Sequence, residues 1–235
     1  MRIGIFGSGR LGSAVASLVG EDPDLELAFV AGKDQAAGAA DAALEASVAA
    51  AVPGRLEWAR RTGTDLVIGT TGWDEAILDG YCDADIGILV APNFSLAAAF
   101  MRRAALALGR FAALDGSADL SVLERHHRAK RDAPSGTAKL LAAALAEGCP
   151  RYPGAAAIPT LALRCGAEPG YHEIRLEADA ESLVLAHAAR SRETFARGAL
   201  RALRWIRGRK GVRRFDELAA ELLDPILAGA GGGRP

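Results

Sequence analysis

The sequence has no strong excess of charge of either sign and few cysteines. Its 28 basic and 29 acidic residues give a formal net charge of −1, so no overall positive field favours nucleic acid or an anionic membrane as a partner. The three cysteines, Cys82, Cys149 and Cys165, are odd in number and too far apart for a CxxC-type metal site. We therefore expect reduced thiols in a cytoplasmic protein.

Long apolar runs are also missing. Charged residues and glycine interrupt the alanine-rich stretches well before the roughly 18 apolar residues that a membrane span requires. The first apolar run, Ile3 to Phe6, meets a glycine at Gly7, so we expect no signal peptide. Half of the 235 residues are nevertheless hydrophobic, which is enough for the cores of two small domains. The glycine-rich end, Gly229 to Pro235, is expected to be a disordered tail.

Short apolar runs alternate with helical patterns as far as Ser95, which predicts a parallel α/β sheet. The predicted strands are Ile3–Phe6, Leu25–Ala31, Ala42–Ala46, Leu66–Ile68 and Ile86–Val90. The predicted helices are Arg10–Val19, Arg55–Thr62 and a long amphipathic one at about Leu96–Leu114. The long helix has apolar residues near helical spacing at Phe100, Ala104, Leu108 and Phe111.

The pattern changes after Asp115-Gly116. A helix is predicted after Pro134, and the strand-like segments are longer and less regularly separated by helices, which is typical of a mixed, open sheet. These strands are Leu120–Leu123 and segments around Pro159–Arg164, His172–Glu177 and Leu183–Ala188. Helices return at Arg192–Ile206 and near Phe215–Leu223, so we expect the first domain to end near Ser95 and to be re-entered after the second.

A glycine-rich turn, Gly7-Ser8-Gly9-Arg10-Leu11-Gly12, directly follows the first strand and opens the first helix. This context is the one in which GxGxxG places a pyrophosphate against a helix N-terminus, although a turn without a ligand is the alternative. We predict an α/β protein with a Rossmann-type dinucleotide-binding domain, residues 1–95 completed by about 207–228. The second domain, residues 96–206, is predicted to be a smaller α+β substrate domain with an open mixed sheet.

The end of the second strand reads Ala31-Gly32-Lys33-Asp34, where an acidic ribose ligand would favour NAD. Lys33 suits a 2′-phosphate, which favours NADPH, with NADH still open because Lys33 could be a solvated surface charge. Small or hydroxyl residues also follow two later strands, at Gly69-Thr70-Thr71-Gly72 and Ala91-Pro92-Asn93-Phe94-Ser95. Such residues leave room for a nicotinamide ring, and the alternative is that both segments are ordinary turns.

The run from Glu124 to Thr137 concentrates two histidines, arginines and a lysine between a buried-looking strand and a helix start. Backbone N–H groups at a helix start bind carboxylates, and histidine or lysine supplies counter-charge and protons. The alternative is a solvated basic loop before a well-capped helix. We expect no metal site, because adjacent histidines without a nearby cysteine or carboxylate set have poor ligand spacing.

The run His126-His127-Arg128-Ala129-Lys130-Arg131-Asp132-Ala133-Pro134-Ser135-Gly136-Thr137-Ala138 resembles the substrate-site signature of the dihydrodipicolinate reductase family. The likeness extends from Met1 to about Trp205. Its other parts are Gly69 to Trp73, Ala91 to Ser95, Arg164 with Gly166, Gly170 with His172, and Ser191-Arg192 with Phe195-Ala196 and Gly198-Ala199.

The resemblance implies NAD(P)H-dependent reduction of a cyclic unsaturated dicarboxylate, 4-hydroxy-tetrahydrodipicolinate, in lysine and diaminopimelate biosynthesis, by a cytoplasmic homotetramer assembled through the second domain's sheet. It implies that His126 and Lys130 form the proton-donating pair. It assigns substrate carboxylates to His127, Gly136 and Thr137. It assigns the cofactor to Gly7, Gly9, Arg10, Leu11, Gly12, Lys33, Gly69, Thr70, Thr71, Asn93 and Phe94.

Several positions depart from the family pattern. The glycine turn is one residue shorter than the usual GxxGRMG and has Leu11 in place of methionine. This chain has Glu45-Ala46-Ser47 where the family usually has Asp-Phe-Thr. It also has Ala97 where glycine is common and Tyr171 where glutamate is usual. These departures fall mostly at the cofactor end, so they bear on cofactor preference more than on substrate.

Two alternative functions remain open at this point. Another two-domain dehydrogenase of amino-acid metabolism, such as an aspartate dehydrogenase, would need a different set of residues after the strand at Leu120. A non-catalytic dinucleotide-sensing regulator on the same fold would be expected to lose the His126 to Lys130 cluster, which this sequence retains.

Overall fold

The computed structural model describes residues 1–32 and 37–229, and the chain divides into two compact units. Unit 1 comprises Met1–Ser95 and the chain from Arg192 onward, and unit 2 comprises Leu96–Ser191. The chain leaves unit 1 after Ser95. The return to unit 1 comes at Arg192, earlier than the predicted position near residue 207.

Unit 1 contains a parallel sheet in the order β10-β5-β4-β3-β1-β2, which confirms the Rossmann-type architecture. The chain moves from β1 outward to β2 and then crosses to β3 on the other side. This reversal is the point at which open parallel sheets bind ligands. The strands are β1 (Arg2–Phe6), β2 (Glu26–Ala31), β3 (Ala42–Glu45), β4 (Asp65–Ile68), β5 (Gly87–Val90) and β10 (Gly211–Arg214).

The described residues of unit 1 form four α-helices, namely α1 (Arg10–Glu21), α2 (Val52–Thr62), α5 (Glu193–Trp205) and α6 (Phe215–Gly229). Helix α5 explains the early return of the chain, because its buried stripe of Ala196, Ala199 and Leu203 packs against α1, β3 and β4. Helix α2 starts at Val52, three residues before the predicted Arg55. Pro53 therefore lies in its first turn, where proline is tolerated.

Unit 2 contains a mixed four-stranded sheet in the order β7-β6-β8-β9. Strand β6 runs parallel to β7 and antiparallel to β8, and β8 runs antiparallel to β9. The strands are β6 (Asp119–His126), β7 (Thr160–Arg164), β8 (Tyr171–Glu177) and β9 (Ser182–Ala188), and the helices are α3 (Leu96–Ala112) and α4 (Gly136–Gly148). The two helices share a hydrophobic core with one face of the sheet.

The buried face of α3 differs from the apolar spacing read in the sequence. Its fully buried residues are Met101, Ala105, Gly109 and Ala112, whereas Phe111 is 43% exposed. Small residues face α4 because the two backbones approach closely there. A β-carbon on Gly109 would collide with the carbonyl oxygen of Leu145, so a larger side chain does not fit this face.

The structure differs from the sequence-based expectations in two further places, one strand and the C-terminal tail. Strand β10 was not predicted, because Gly211–Arg214 is short and half arginine, and parallel pairing with β5 makes it a strand. The disordered tail was expected to begin at Gly229, but Gly229 is the last residue of helix α6. The rest of that expected tail, residues 230–235, lies outside the described residues. No helix of the described residues is long and apolar enough to cross a bilayer.

We expect Gly109→Ala to lower the thermal unfolding midpoint, because overpacking against a helix backbone costs about 1–3 kcal/mol and exceeds the helix propensity that alanine adds. Gly20→Ala in α1 is the matched control, since a β-carbon there meets nothing within 4 Å. Circular dichroism melts would measure both. An unchanged or raised midpoint for Gly109→Ala would show that the two helices can separate without cost.

Candidate functional site

The glycine turn after β1 has the geometry that a dinucleotide pyrophosphate requires. Gly7 has a φ of 103° and its N–H donates to the carbonyl of Ala31 at 3.0 Å. A β-carbon on Gly12 would collide with the carbonyl oxygen of Gly7, so helix α1 packs directly under the turn. A β-carbon on Gly9, the N-cap residue, meets nothing within 4 Å, and no side chain caps α1. The helix N-terminus is therefore open to an anion.

The ends of β4 and β5 contribute further to this region of unit 1. Phe94 is buried, packs edge-to-face on Phe215 with ring centroids 5.7 Å apart, and fills the space beside Gly69. A β-carbon on Gly69 would lie 2.6 Å from the Phe94 ring and 3.5 Å from Leu11. The structure thus brings together three predicted cofactor residues that are far apart in sequence.

The remaining predicted cofactor residues have varied surroundings. Arg10 and Thr71 are exposed, and the carboxamide oxygen of Asn93 accepts from the Ser95 N–H at 2.9 Å. The Thr70 hydroxyl donates to Glu45 Oε1 at 3.0 Å. Lys33, on which the preference for NADPH depends, lies outside the described residues.

Glu45 is a buried carboxylate to which the sequence reasoning gave no role. Besides Thr70, its Oε1 accepts from the backbone N–H of Ser47 at 2.7 Å, and its Oε2 lies 3.6 Å from Arg55 Nε. These contacts join the ends of β3 and β4. The one available signal was a glutamate at the end of an otherwise apolar strand.

In unit 2, the chemistry-bearing residues gather on the covered face of the sheet. Strand β6 extends to His126, three residues beyond its predicted end, and its alternation buries both Glu124 and His126. Antiparallel pairing sets His172 of β8 directly opposite Glu124. The imidazoles of His126 and His172 meet edge-to-face with centroids 5.0 Å apart, and a β-carbon on Gly170 would lie 3.1 Å from His126 Nε2.

Glu124 is the centre of this cluster. Its carboxylate is fully buried, and Oε1 accepts from the Ser135 N–H at 2.8 Å and from the Arg164 guanidinium at 2.7 Å. The other oxygen, Oε2, lies 3.3 Å from His126 Nδ1 and 3.6 Å from His172 Nε2. Burial alone would raise the pKa of Glu124, but the hydrogen bonds from Ser135 and Arg164 outweigh it and lower the pKa.

Both histidines of the cluster are shifted toward the neutral form. Burial lowers the pKa of His126, and the carboxylate of Glu124 offsets this only in part. Burial and the neighbouring His126 lower the pKa of His172 to about 4. A neutral imidazole at His126 can accept a proton or a hydrogen bond at pH 7, but it is a poor source of protons in the resting protein.

The other predicted substrate residues surround the start of α4 and the loop after β6. Lys130 Nζ lies 2.8 Å from Asp132 Oδ1, and the backbone N–H of Lys130 donates to the carbonyl of His127 at 3.1 Å. Gly136 and Thr137 are the first two residues of α4. Ser135 is the N-cap, and its hydroxyl accepts from the Ala138 N–H at 3.2 Å.

Sequence reasoning missed the roles of Glu124, Ser135, Arg164 and His172 in this cluster. Arg164 and His172 were noted as family positions without a role. The premise for expecting no metal site also fails, because a carboxylate and a second histidine do lie beside His126. One ligand atom each from Glu124, His126 and His172 falls within 4.8 Å of the other two.

Two family profiles together match most of the chain. The profile described as dihydrodipicolinate reductase, N-terminus, matches residues 1–94, and that described as dihydrodipicolinate reductase, C-terminus, matches residues 94–218. The change from one profile to the other coincides with the boundary between units 1 and 2.

Curated relatives cover the chain in the same way. The 4-hydroxy-tetrahydrodipicolinate reductase of Laribacter hongkongensis is 34% identical over 238 residues, spanning 91% of this chain and 87% of that relative. The enzyme of the same name from Gluconobacter oxydans is 37% identical over 236 residues, spanning 88% of this chain and 92% of that relative.

Among solved structures, the dipicolinate-bound dihydrodipicolinate reductase from Paenisporosarcina sp. TG-14 superposes with a TM-score of 0.76 and 21% identity. The match covers 93% of this chain and 99% of that one. At this identity, the likeness shows a shared fold.

Proposed function

Since this chain belongs to the dihydrodipicolinate reductase family, we propose that it reduces 4-hydroxy-tetrahydrodipicolinate to tetrahydrodipicolinate, with the hydride coming from a nicotinamide dinucleotide and the 4-hydroxyl group leaving as water. The reaction belongs to lysine and diaminopimelate biosynthesis. The observation that carries the proposal is the family match over both units, with the histidine- and lysine-containing run retained. Membership of this family decides against the aspartate dehydrogenase alternative, and retention of the run argues against a non-catalytic regulator.

The residues of unit 1 fit a dinucleotide. The turn at Gly7 and Gly12 leaves no room for side chains, whereas the space at Gly9 beside the α1 N-terminus is open. In the proposal, the backbone of this turn binds the pyrophosphate, and Gly69, Thr70, Thr71, Asn93 and Phe94 border the nicotinamide half. When bound, the dinucleotide supplies the hydride.

We propose NADPH as the preferred cofactor, with NADH also used. The support is the sequence Gly32-Lys33, which offers a cation where NAD enzymes carry an acidic ribose ligand.

The cysteines among the described residues are free thiols, which supports the proposed cytoplasmic location.

Measured kcat/KM values are expected to be higher for NADPH than for NADH. Lys33→Glu is expected to narrow or reverse that ratio, because a carboxylate repels the 2′-phosphate and can bind the ribose hydroxyls. Lys139→Glu, at an exposed position of α4, is the control for the change of charge. Equal values for both cofactors in the unmodified protein would contradict the preference.

Lys130 is proposed as the proton donor. Its Nζ lies 2.8 Å from Asp132 Oδ1, while burial favours the neutral form of His126. In this scheme, Lys130 donates the proton to the other end of the reduced bond, and the neutral imidazole of His126, the other member of the pair, accepts a hydrogen bond beside it. His127 and the α4 start at Gly136 and Thr137 bind the substrate carboxylates.

Lys130→Ala is expected to lower kcat by roughly 10²–10⁴, the usual scale for losing a general acid. Lys139→Ala, a lysine on the exposed side of α4, should retain the unmodified kcat. Steady-state oxidation of NADPH in the presence of substrate measures both. A folded Lys130→Ala protein with near-normal turnover would remove Lys130 from the mechanism.

A flat dicarboxylate should compete with substrate. The relative from Paenisporosarcina was solved with dipicolinate bound, which supports the choice of this diacid. His127→Ala and Thr137→Val should each weaken its inhibition, since a charge-assisted hydrogen bond contributes about 1.5–3 kcal/mol. Inhibition titrations and separate NADPH titrations test this. If these two variants mainly lost affinity for NADPH, His127 and Thr137 would not be the residues that bind the diacid.

We also propose a homotetramer that buries the open face of the unit 2 sheet. Large apolar side chains are exposed on this face, with Leu161 at 57%, Leu163 at 42% and Val184 at 48% exposure. Light scattering should give the mass of four chains, and Leu161→Asp with Val184→Asp should reduce it. Leu140→Asp on α4 is the control. A monomer before substitution would refute the assembly.

A further inference from the structure

Three buried side chains on the covered face of the unit 2 sheet have the composition and spacing of a metal site. We propose that Glu124, His126 and His172 bind a borderline transition-metal cation, with Zn²⁺ as the best-suited ion. Two imidazoles and one carboxylate are a ligand set that zinc accepts when a fourth position is left to water. Mg²⁺ and Ca²⁺ prefer all-oxygen sites, so they are not expected to bind here.

The distances fit tetrahedral coordination. Zinc binds imidazole nitrogen and carboxylate oxygen at about 2.0–2.2 Å, which places neighbouring ligand atoms roughly 3.3–3.5 Å apart. Glu124 Oε2 lies 3.3 Å from His126 Nδ1 and 3.6 Å from His172 Nε2. All three ligand atoms lie within 4.8 Å of one another, so one cation at their centre needs only a small inward movement of the imidazoles.

Two of these ligand atoms have no other partner. Glu124 Oε2 and His126 Nδ1 are buried without a hydrogen bond, which is costly for polar atoms and is relieved by coordination. His172 Nε2 has a single hydrogen-bond contact, 3.2 Å from the Ser135 hydroxyl, which can rotate away.

The surroundings of Glu124 orient it toward the cation. Arg164 and the Ser135 N–H both bind Oε1 and so turn Oε2 toward the imidazoles, as outer-shell hydrogen bonds do around metal-binding carboxylates. The guanidinium charge opposes a nearby cation, so binding is expected to be reversible and weaker than at a structural zinc site. The imidazole side chains of His126 and His172 remain 8% and 7% exposed, which leaves the cluster close to the surface.

Binding would have a consequence for the proposed reaction. Coordination through Nδ1 would fix the ring of His126 and remove it from the proton-donating pair, so zinc would inhibit reversibly. This consequence rests on the proposed function, whereas the binding itself does not.

The experiment is a zinc titration of the chelator-treated, dialysed full-length protein against a chromophoric zinc indicator. We expect one zinc ion per chain, with His172→Gln weakening the affinity at least about tenfold. His127→Gln and Cys165→Ser, which change the adjacent histidine and a nearby exposed thiol, should leave affinity unchanged. Equal affinity in a folded His172→Gln protein, or weakening by the Cys165 variant, would overturn the proposal.

Co²⁺ provides a second measurement on the unmodified protein, in case His172→Gln does not fold. Tetrahedral nitrogen and oxygen ligation predicts visible d–d absorption without a thiolate charge-transfer band, and zinc should displace it. A thiolate band, or no uptake at stoichiometric Co²⁺ or Zn²⁺, refutes the site. NADPH oxidation measured without metal tests the proposed function separately, so failure of one does not imply failure of the other.

Discussion

The buried carboxylate of Glu124 is the constraint on which the organisation of unit 2 depends. A fully buried charge is tolerated only when it is paired and hydrogen-bonded. Glu124 meets this requirement with Arg164 at the end of β7 and with the N–H of Ser135 at the start of α4. One carboxylate therefore fastens β6, β7 and α4 together, and its second oxygen faces the imidazoles of His126 and His172.

The same arrangement limits how the cluster can work chemically. Because hydrogen bonds from Ser135 and Arg164 lower the pKa of Glu124, the carboxylate is an acceptor beside His126 and not a proton source. Burial lowers the pKa of both histidines, so in the proposed mechanism the proton donor is Lys130, whose Nζ lies 2.8 Å from Asp132 Oδ1. The division of roles follows from burial and pairing, since the sequence alone presents His126 and Lys130 as equivalent candidates.

Unit 1 uses a related device at the cofactor end. Glu45 is a buried carboxylate at the end of β3, held by Ser47 and Thr70, and it occupies the position where the family pattern has aspartate. The Glu45 side chain reaches Thr70 at the end of β4 and so connects two strand ends. The shortened glycine turn also retains the close packing of Gly12 under Gly7.

Much of the fold followed from local pattern. Alternating apolar runs placed strands β1 to β5 of the parallel sheet, and the GxGxxG turn lies between β1 and α1 as expected. The errors have a common origin in packing. Strand β10 exists because β5 offers a pairing edge, and the buried face of α3 is set by the close approach of α4 at Gly109.

The sequence by itself determined the family, the dinucleotide turn and the run from His126 to Thr137, because these are contiguous motifs whose residue types carry the chemistry. Tertiary structure decided which side chains share one buried cluster. Glu124 and Arg164 are 40 positions apart, and His172 reaches them only through the antiparallel register of β6 and β8. Strand register is a long-range property, set by pairing and by burial of one sheet face, so no local reading of the sequence could place these residues together.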